Sequence, residues 1–393
     1  MRFDASALRY LTPEDFRVLT AVEMGMKNHN IVPSDLIRSI AALRHGGVHR
    51  VLKNLLRHKL IARDRRKYDG YKLTYSGYDY LALKAMVNRN MITAVGNQIG
   101  VGKESDIFVA IGNRTSVAGS VAATTGDPAV TQLALKLHRL GRISFRAIKR
   151  TRDYFHSRSS ASWLYLSRLA ALKEYAFMKA LSMAGFPVPR PVSHNRHCVL
   201  MALVEGCQLN QIKALQDTEK VYNDIMSLPV RLGRAGLVHC DFNEFNILVG
   251  DDETVTLIDF PQMVSSSHPN ARFYFSRDVE CMRCFFRKRF GFEKKIFPTF
   301  DDIGLKKADG ALDGRTLSLG LPADHREDIG AGRYRMAGSP NEKPSDGRVK
   351  AVQMQGLRIK PSAARKKIAM ELHGTKKSNK CSGRNRNKDR GGH

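Results

Sequence analysis

Apolar residues recur at Phe16, Leu19, Val22 and Met26 with the spacing of a helix face, and Pro13 and Pro33 stand near the starts of two helical stretches. A third helix is expected around Gly47–His58. The period then changes. Leu60–Arg65 and Tyr71–Tyr75 read as two short strands flanking the turn Tyr68-Asp69-Gly70, and Gly77–Val87 returns to a helical pattern. Three helices followed by a hairpin predict a winged helix over residues 1–90. From about Met91 to Leu200 strand patterns dominate, interrupted by one long helix; from Met201 to Phe300 helices return around a single hairpin. The expected fold class is α+β, with a strand-rich lobe over 91–200 and a helical lobe over 201–305. Gly112–Thr131, rich in Gly, Ala, Thr and Ser, reads as a mobile loop joining two strands. Past Gly310 the pattern dissolves, and 306–393 reads as a disordered tail.

Composition adds a partner class to this outline. A chain of 393 residues, 42% hydrophobic, can bury the cores of two or three domains. Its formal charge of +28 makes a polyanion the leading partner, whether RNA, DNA or anionic lipid, because each Lys or Arg beside a phosphate releases condensed counterions. The third helix carries His49, Arg50, Lys53, Arg57 and His58, and the wing adds Arg63, Arg65, Arg66 and Lys67. These suit phosphate contact; a solvated basic face on a protein adaptor explains them equally well. The stretch 331–393 holds 17 Lys or Arg against 4 Asp or Glu, as an RNA-binding, nuclear-import or solubilising tail would. No apolar run is long enough to span a bilayer and no signal peptide is visible, so a soluble intracellular protein without a membrane partner is expected. Six cysteines form no disulfide framework. Cys281 and Cys284 make a C-x-x-C inside a helical pattern with no second pair at zinc spacing, so helix packing is expected rather than metal.

Three segments carry candidate chemistry. In Gly100-Val101-Gly102-Lys103-Glu104-Ser105-Asp106 two glycines stand at the turn of a hairpin, where backbone N–H groups without Cβ atoms beside them can approach phosphate oxygens. A plain turn is the alternative. The motif is not a P-loop, since a strand rather than a helix follows it. Lys136 lies on the opposite strand face from Leu133, Leu135 and Leu137, and Glu174 falls on the apolar helical stripe Leu166, Ala170, Phe177, Leu181. Pairing Lys136 with Glu174 is the economical solution; a carboxylate at the stripe's edge reaching water is the other. Finally, His239-Cys240-Asp241-Phe242-Asn243-Glu244-Phe245-Asn246 precedes Ile247-Leu248-Val249, a turn, Val255–Ile258 and Asp259. An antiparallel hairpin would return Asp259 to the loop bearing Asp241 and Asn246. Asn246 and Asp259 then offer oxygen ligands suited to Mg²⁺, and Asp241 a base for an attacking hydroxyl or water. The same spacing occurs in small-molecule kinases, which the winged helix does not fit.

Four segments together resemble a known family: G-V-G-K-E-S-D at 100–106, A-L-K-L-H-R-L-G-R at 134–142, S-W-L-Y-L-S-R-L at 162–169, and H-C-D-F-N-E-F-N with I-D-F-P-Q-M-V at 258–264. From about residue 8 to 305 the chain is similar to the second, winged-helix-bearing subfamily of RIO-type atypical kinases. The resemblance implies a compact two-lobed protein-kinase-like domain behind the winged helix, using ATP and Mg²⁺. It implies Asp241 as the catalytic aspartate, Asn246 and Asp259 as metal ligands, and Lys136 with Gly100, Gly102, Lys103, Glu104 and Ser105 around the triphosphate, with Glu174 steadying Lys136. Adenine would meet the backbone of Met201, Ala202 and Val204. It also implies a transient phosphoaspartate on Asp259, an ATPase cycle, and work on late precursors of the small (40S) ribosomal subunit, with rRNA and ribosomal proteins as partners. A cytoplasmic location with passage through the nucleus would follow. A conventional protein serine/threonine kinase and a winged-helix scaffold with a nucleotide-sensing core are the other readings. Several positions depart from the family: Ala202 stands where relatives carry glutamate, Cys240 where they carry glycine, and the 112–131 loop is longer. Against ordinary protein kinases, Asp-Phe-Pro at 259–261 replaces Asp-Phe-Gly and no Ala-Pro-Glu follows. The segment Arg142–Ser160, with Arg146, Lys149, Arg150, Arg152 and Arg158, reads as a basic flap or a solvated loop.

Overall fold

Helix α1 (Pro13–Gly25) begins where its capping residues dictate. Thr12 accepts the Asp15 N–H while the Asp15 carboxylate takes the Thr12 N–H at 2.8 Å, a reciprocal box that satisfies donors left over at a helix start. The computed structural model to which it belongs describes residues 6–44, 47–65, 68–113, 130–141 and 162–304. The interior of the 112–131 loop, the flap and the tail lie outside the described residues. Helices α2 (Ser34–Ala41) and α3 (Val48–Arg57) follow, then the hairpin β1 (Ile61–Asp64) and β2 (Gly70–Leu73), paired Ile61 to Leu73. Val18, Leu19, Val22, Ile37, Leu52 and Leu55 share one buried cluster with Leu60, Ile61 and Leu73. Helix α4 (Tyr75–Asn88) closes the winged helix, and its Gly77 comes so near the Leu60 carbonyl that a Cβ would collide with it.

A five-stranded antiparallel sheet comes next, ordered β3-β4-β5-β7-β6. Its strands are β3 (Ala94–Val101), β4 (Ser105–Asn113), β5 (Val130–His138), β6 (Pro191–Asn195) and β7 (Cys198–Ala202), and the long helix α5 (Trp163–Met183) joins β5 to β6. Two expectations need correction. Gly112 pairs with Thr131 and Asn113 with Val130, so the ends of the Gly112–Thr131 loop belong to strands. Gly100 lies in β3 opposite Ile107 rather than at the turn. In both cases backbone pairing with a neighbour already in register overrides a weak local preference.

Because side chains alternate across a strand, β5 serves two layers. Leu133, Leu135 and Leu137 pack with Leu83 and Met86 of α4, so the winged helix covers one face of the sheet. Charged groups reinforce that contact. Arg139 donates to both Asp79 oxygens at 2.6 and 2.8 Å, His197 Nε2 lies 2.7 Å from Asp79 Oδ1, and Arg196 forks onto Glu23 with two bonds of 2.7 Å.

The other face of β5 looks toward α5 and the helical lobe. There α6 (Thr218–Arg234) and α7 (Ala271–Phe290) enclose a core containing Phe242, Phe260, Phe275 and Phe286. The expected hairpin appears, but with company. After β8 (Cys207–Gln208) and β9 (Leu237–Val238), the hairpin β10 (Ile247–Val249) and β11 (Val255–Leu257) gains β8 as a third strand, and β9 pairs with β12 (Val264–Ser265). Two-residue strands carry no period, which is why the sequence pattern showed one hairpin only. Among the described residues no helix is long and apolar enough to cross a membrane.

Candidate active site

Lys136 leaves β5 on the face toward α5, and its Nζ donates to Glu174 Oε1 at 2.6 Å and to Asp259 Oδ1 at 2.8 Å. The pairing with Glu174 is the economical one expected; the second partner was not foreseen. Burial alone would push Lys136 toward the neutral amine, but Asp259 and Glu174 outweigh it and raise its pKa above the usual value. For Asp259 burial pulls upward, and Lys136, with His138 and His239 behind it, more than reverses this and holds the carboxyl below the ordinary range.

The hairpin register explains how Asp259 arrives. Ile247 faces Leu257, and the Ile258 N–H donates to the Asn246 carbonyl at 3.0 Å, so the chain just past β11 lies against the loop before β10. In that loop Asp241 accepts hydrogen bonds from Asn243 Nδ2 at 2.9 Å, Asn246 Nδ2 at 3.1 Å and, more weakly, Gln262 Nε2 at 3.3 Å. Burial first, then the charge of Asp259, raise the Asp241 pKa, making it a stronger base than a surface aspartate. Asn246 gives its amide hydrogens to the Asp241 carbonyl and carboxylate, which leaves its side-chain carbonyl as an oxygen ligand.

Two residues of the site have left-handed backbone. Cys240 has φ +64° and Asp259 φ +72°, a region that side chains other than glycine's rarely adopt. Cys240 is held there by Asp278 of α7, which accepts its N–H at 2.7 Å, and by Arg277, which donates to its carbonyl. His239, edge-on to Phe242 and Phe260, is 2% exposed, and burial depresses its pKa to about 4.

At the sheet end, the Gly102 N–H closes the β3–β4 turn on the Ser105 carbonyl at 2.7 Å, and the Glu104 carbonyl accepts the Arg139 N–H at 2.5 Å. Lys103 is exposed on this turn. A Cβ at Gly100 would meet nothing closer than Ile107 at 3.5 Å, so packing within the protein does not require a glycine there. Bare backbone at that point suits a group approaching from outside, such as a phosphate. Met201 is the cross-strand partner of Ala134 on the Lys136 face, Ala202 gives its N–H to the Arg190 carbonyl at 2.9 Å, and Val204 follows two residues beyond β7. Among the described residues no three His, Cys, Asp or Glu gather to hold a metal unaided. Asn246 and Asp259 would offer magnesium two hard oxygen ligands.

Residue types and spacing pointed to Lys136, Glu174, Asp241, Asn246 and Asp259, and the structure brings them together. Missed were His138, Asn243, Gln262 and Asp278. Only His138 left a trace in the sequence, standing two residues beyond Lys136 and therefore on the same strand face. Cys281 and Cys284 lie on α7 as free thiols. Of the basic surface, His49, Arg50, Lys53 and Arg57 are exposed along α3, His58 is half-buried at its end, and Arg63 in the wing is forked onto Asp69, which mutes its charge. Arg66 and Lys67 fall outside the described residues.

Comparison with known proteins adds independent findings. Residues 8–89 match the family model described as Rio2, N-terminal, and residues 107–297 match the RIO domain. A serine/threonine-protein kinase rio2 of Dictyostelium discoideum is 55% identical over 77% of this chain and 55% of its own length. The chain thus spans about half of that relative, and the same holds for a RIO2 kinase of Caenorhabditis elegans at 51% identity. A rio2 kinase of Schizosaccharomyces pombe is 49% identical over 80% of this chain and 87% of its own. Among solved structures, the Rio2 kinase–ADP/Mg²⁺–phosphoaspartate complex from Chaetomium thermophilum is 46% identical, with a TM-score of 0.68 over 84% of this chain and 97% of that one.

Proposed function

The chain belongs to the Rio2 branch of the RIO kinase family, and from that premise we propose that it is an ATP-dependent phosphotransferase that turns over Mg-ATP through a phosphoaspartate on Asp259. One observation carries this: Lys136 joins Glu174 to Asp259, while Asp241 and Asn246 stand beside that same aspartate. Such a constellation serves phosphoryl transfer, where positioning and charge do most of the catalysis.

Each residue has a share in it. Lys136, steadied by Glu174, takes the α- and β-phosphates, and the Gly100–Ser105 segment, the end of β3 with the turn after it, covers the triphosphate with backbone N–H groups. Adenine lies against Met201 and the backbone of Ala202 and Val204. Magnesium, held by Asn246 and Asp259, would neutralise charge on the phosphates. A carboxylate oxygen of Asp259 forms a bond to the γ-phosphorus as the bond to the bridging oxygen breaks, and ADP departs with that electron pair. Asp241, its pKa raised, then accepts a proton from the water that cleaves the acyl phosphate, freeing phosphate and restoring Asp259. Paired with Lys136, Asp259 is an anion before nucleotide arrives, the form a nucleophile needs.

The cycle is proposed to time release from late precursors of the small ribosomal subunit in the cytoplasm. Support comes from the formal charge of +28 and from the exposed His49, Arg50, Lys53 and Arg57 on α3, which offer phosphate contacts to rRNA. Single-turnover labelling with γ-labelled ATP, with and without small-subunit precursors, tests the scheme. Acid-labile label and free phosphate are expected, both lost in Asp259→Ala and the turnover altered by precursor. Parental turnover in Asp259→Ala would overturn the mechanism; label appearing only on serine would favour a conventional kinase.

A further inference from the structure

Glu174 has two carboxylate oxygens, and Lys136 accounts for one. Oε1 is bound by Lys136 at 2.6 Å; Oε2 lies 2.6 Å from Nε2 of His138. Both side chains are dry, His138 at 3% exposure and Glu174 at 2%. Among the described residues no other donor reaches Oε2, and Nε2 has no other partner. The ring sits off the line of an ideal hydrogen bond, so the two are joined by proximity and polarity in a buried setting. Strand geometry puts them there, because residues two apart on β5 share a face. The one carboxylate thus spans Lys136 and His138.

This matters because Lys136 has two competing acceptors. To reach a phosphate it must leave Asp259 yet stay with Glu174. A glutamate carboxylate held by one oxygen can swing, since its terminal torsion is broad and nearly two-fold. With the polar Nε2 edge of His138 only 2.6 Å from Oε2 in the same buried space, that swing is opposed. We propose that His138 is a positioning residue for nucleotide binding, fixing Glu174 through Oε2 so that Lys136 exchanges Asp259 for phosphate rather than exchanging Glu174. The inference rests on the nucleotide role given to Lys136 above. His138 touches neither nucleotide nor reacting atoms in this scheme; it acts through Glu174.

Three substitutions separate this from simple core packing. His138→Phe keeps the ring volume and removes the N–H. His138→Gln places an amide N–H near the position of Nε2, whereas His138→Asn is too short to reach Oε2. With Mg-ATP as the titrant, His138→Phe and His138→Asn are expected to bind about tenfold more weakly with turnover at saturation nearly unchanged, and His138→Gln to stay within about threefold of the parent. In a Glu174→Gln background, adding His138→Phe should change nothing further. Parental affinity in a folded His138→Phe, or losses from the two sites that multiply independently, would overturn the proposal. If His138→Phe does not fold, the gap between glutamine and asparagine decides: equal affinity defeats it. Lys136→Ala is the control for the premise, because unchanged ATP binding in that variant refutes the nucleotide reading itself, whatever His138 does.

Discussion

Lys136 and Asp259 are 123 residues apart in sequence and 2.8 Å apart in space, so the lysine bridges the sheet lobe and the helical lobe. A phosphate arriving at Lys136 therefore competes with a carboxylate. Lys136→Ala removes the cation from two acids at once, leaving Glu174 buried beside His138 alone. Stability should fall by about 3 kcal/mol, in line with breaking a buried ion pair, and ATP affinity by tenfold or more. Urea unfolding and a nucleotide titration on the same sample check both halves.

Asp79→Ala should be as damaging as a mutation in the site, though it lies in the N-terminal domain. Asp79 is 2% exposed and binds Arg139 through both oxygens, with His197 on one of them. Its removal strands a buried guanidinium beside Asp106 at 3.3 Å, which is a poorer partner. A loss of about 3–5 kcal/mol is expected by denaturant melting. Arg139→Lys should also destabilise, since a lysine cannot reproduce the fork.

His239 predicts an acid-sensitive fold. Its folded pKa, about 4, is depressed from 6.5, so between those values the unfolded chain binds a proton that the folded chain refuses. The stabilisation from neutral His239 is intact above pH 6.5 and lost as pH falls through about 4, roughly 3 kcal/mol in all. Asp278 works in the opposite direction. Burial raises its pKa to about 6, so its contribution is greatest below 3.8 and disappears as pH rises through about 6. Comparing unfolding from pH 7 to 4 in the parent and in His239→Phe isolates the histidine, and the variant should lose less stability over that range.

Cys240 is set by its backbone rather than its thiol. At φ +64° glycine costs nothing, so Cys240→Gly should change stability by no more than about 1 kcal/mol, lost packing offsetting relieved strain. Cys240→Val, branched at Cβ, should cost about 2 kcal/mol or more. Burial pushes the thiol pKa up to about 12, so native Cys240 should resist alkylation at pH 8 and react only on unfolding. Mass spectrometry after timed labelling reads this directly.

Much of this was legible in the chain because its signals are local and periodic. The helix face through Phe16, Leu19 and Val22, the alternation around Lys136, and the hairpin returning Asp259 all follow from spacing within one or two elements. What escaped was contact between distant elements. Nothing near Asp278 announces that it takes the Cys240 N–H, because that bond depends on how α7 packs. Nor does the pattern at Tyr75–Asn88 say that Asp79 will meet Arg139 across the domain boundary. Gly100 sat in the strand for the same reason: pairing is decided by the neighbour, not by the residue's own preference.

That meeting of Asp79 and Arg139 reaches further than stability. Arg139 also gives its backbone N–H to the Glu104 carbonyl, so a single residue ties α4 to the β3–β4 turn. The N-terminal region is therefore no detachable passenger. Heating should melt it and the five-stranded sheet in one calorimetric transition, and anything that tugs on the winged helix will be felt at the β3–β4 turn.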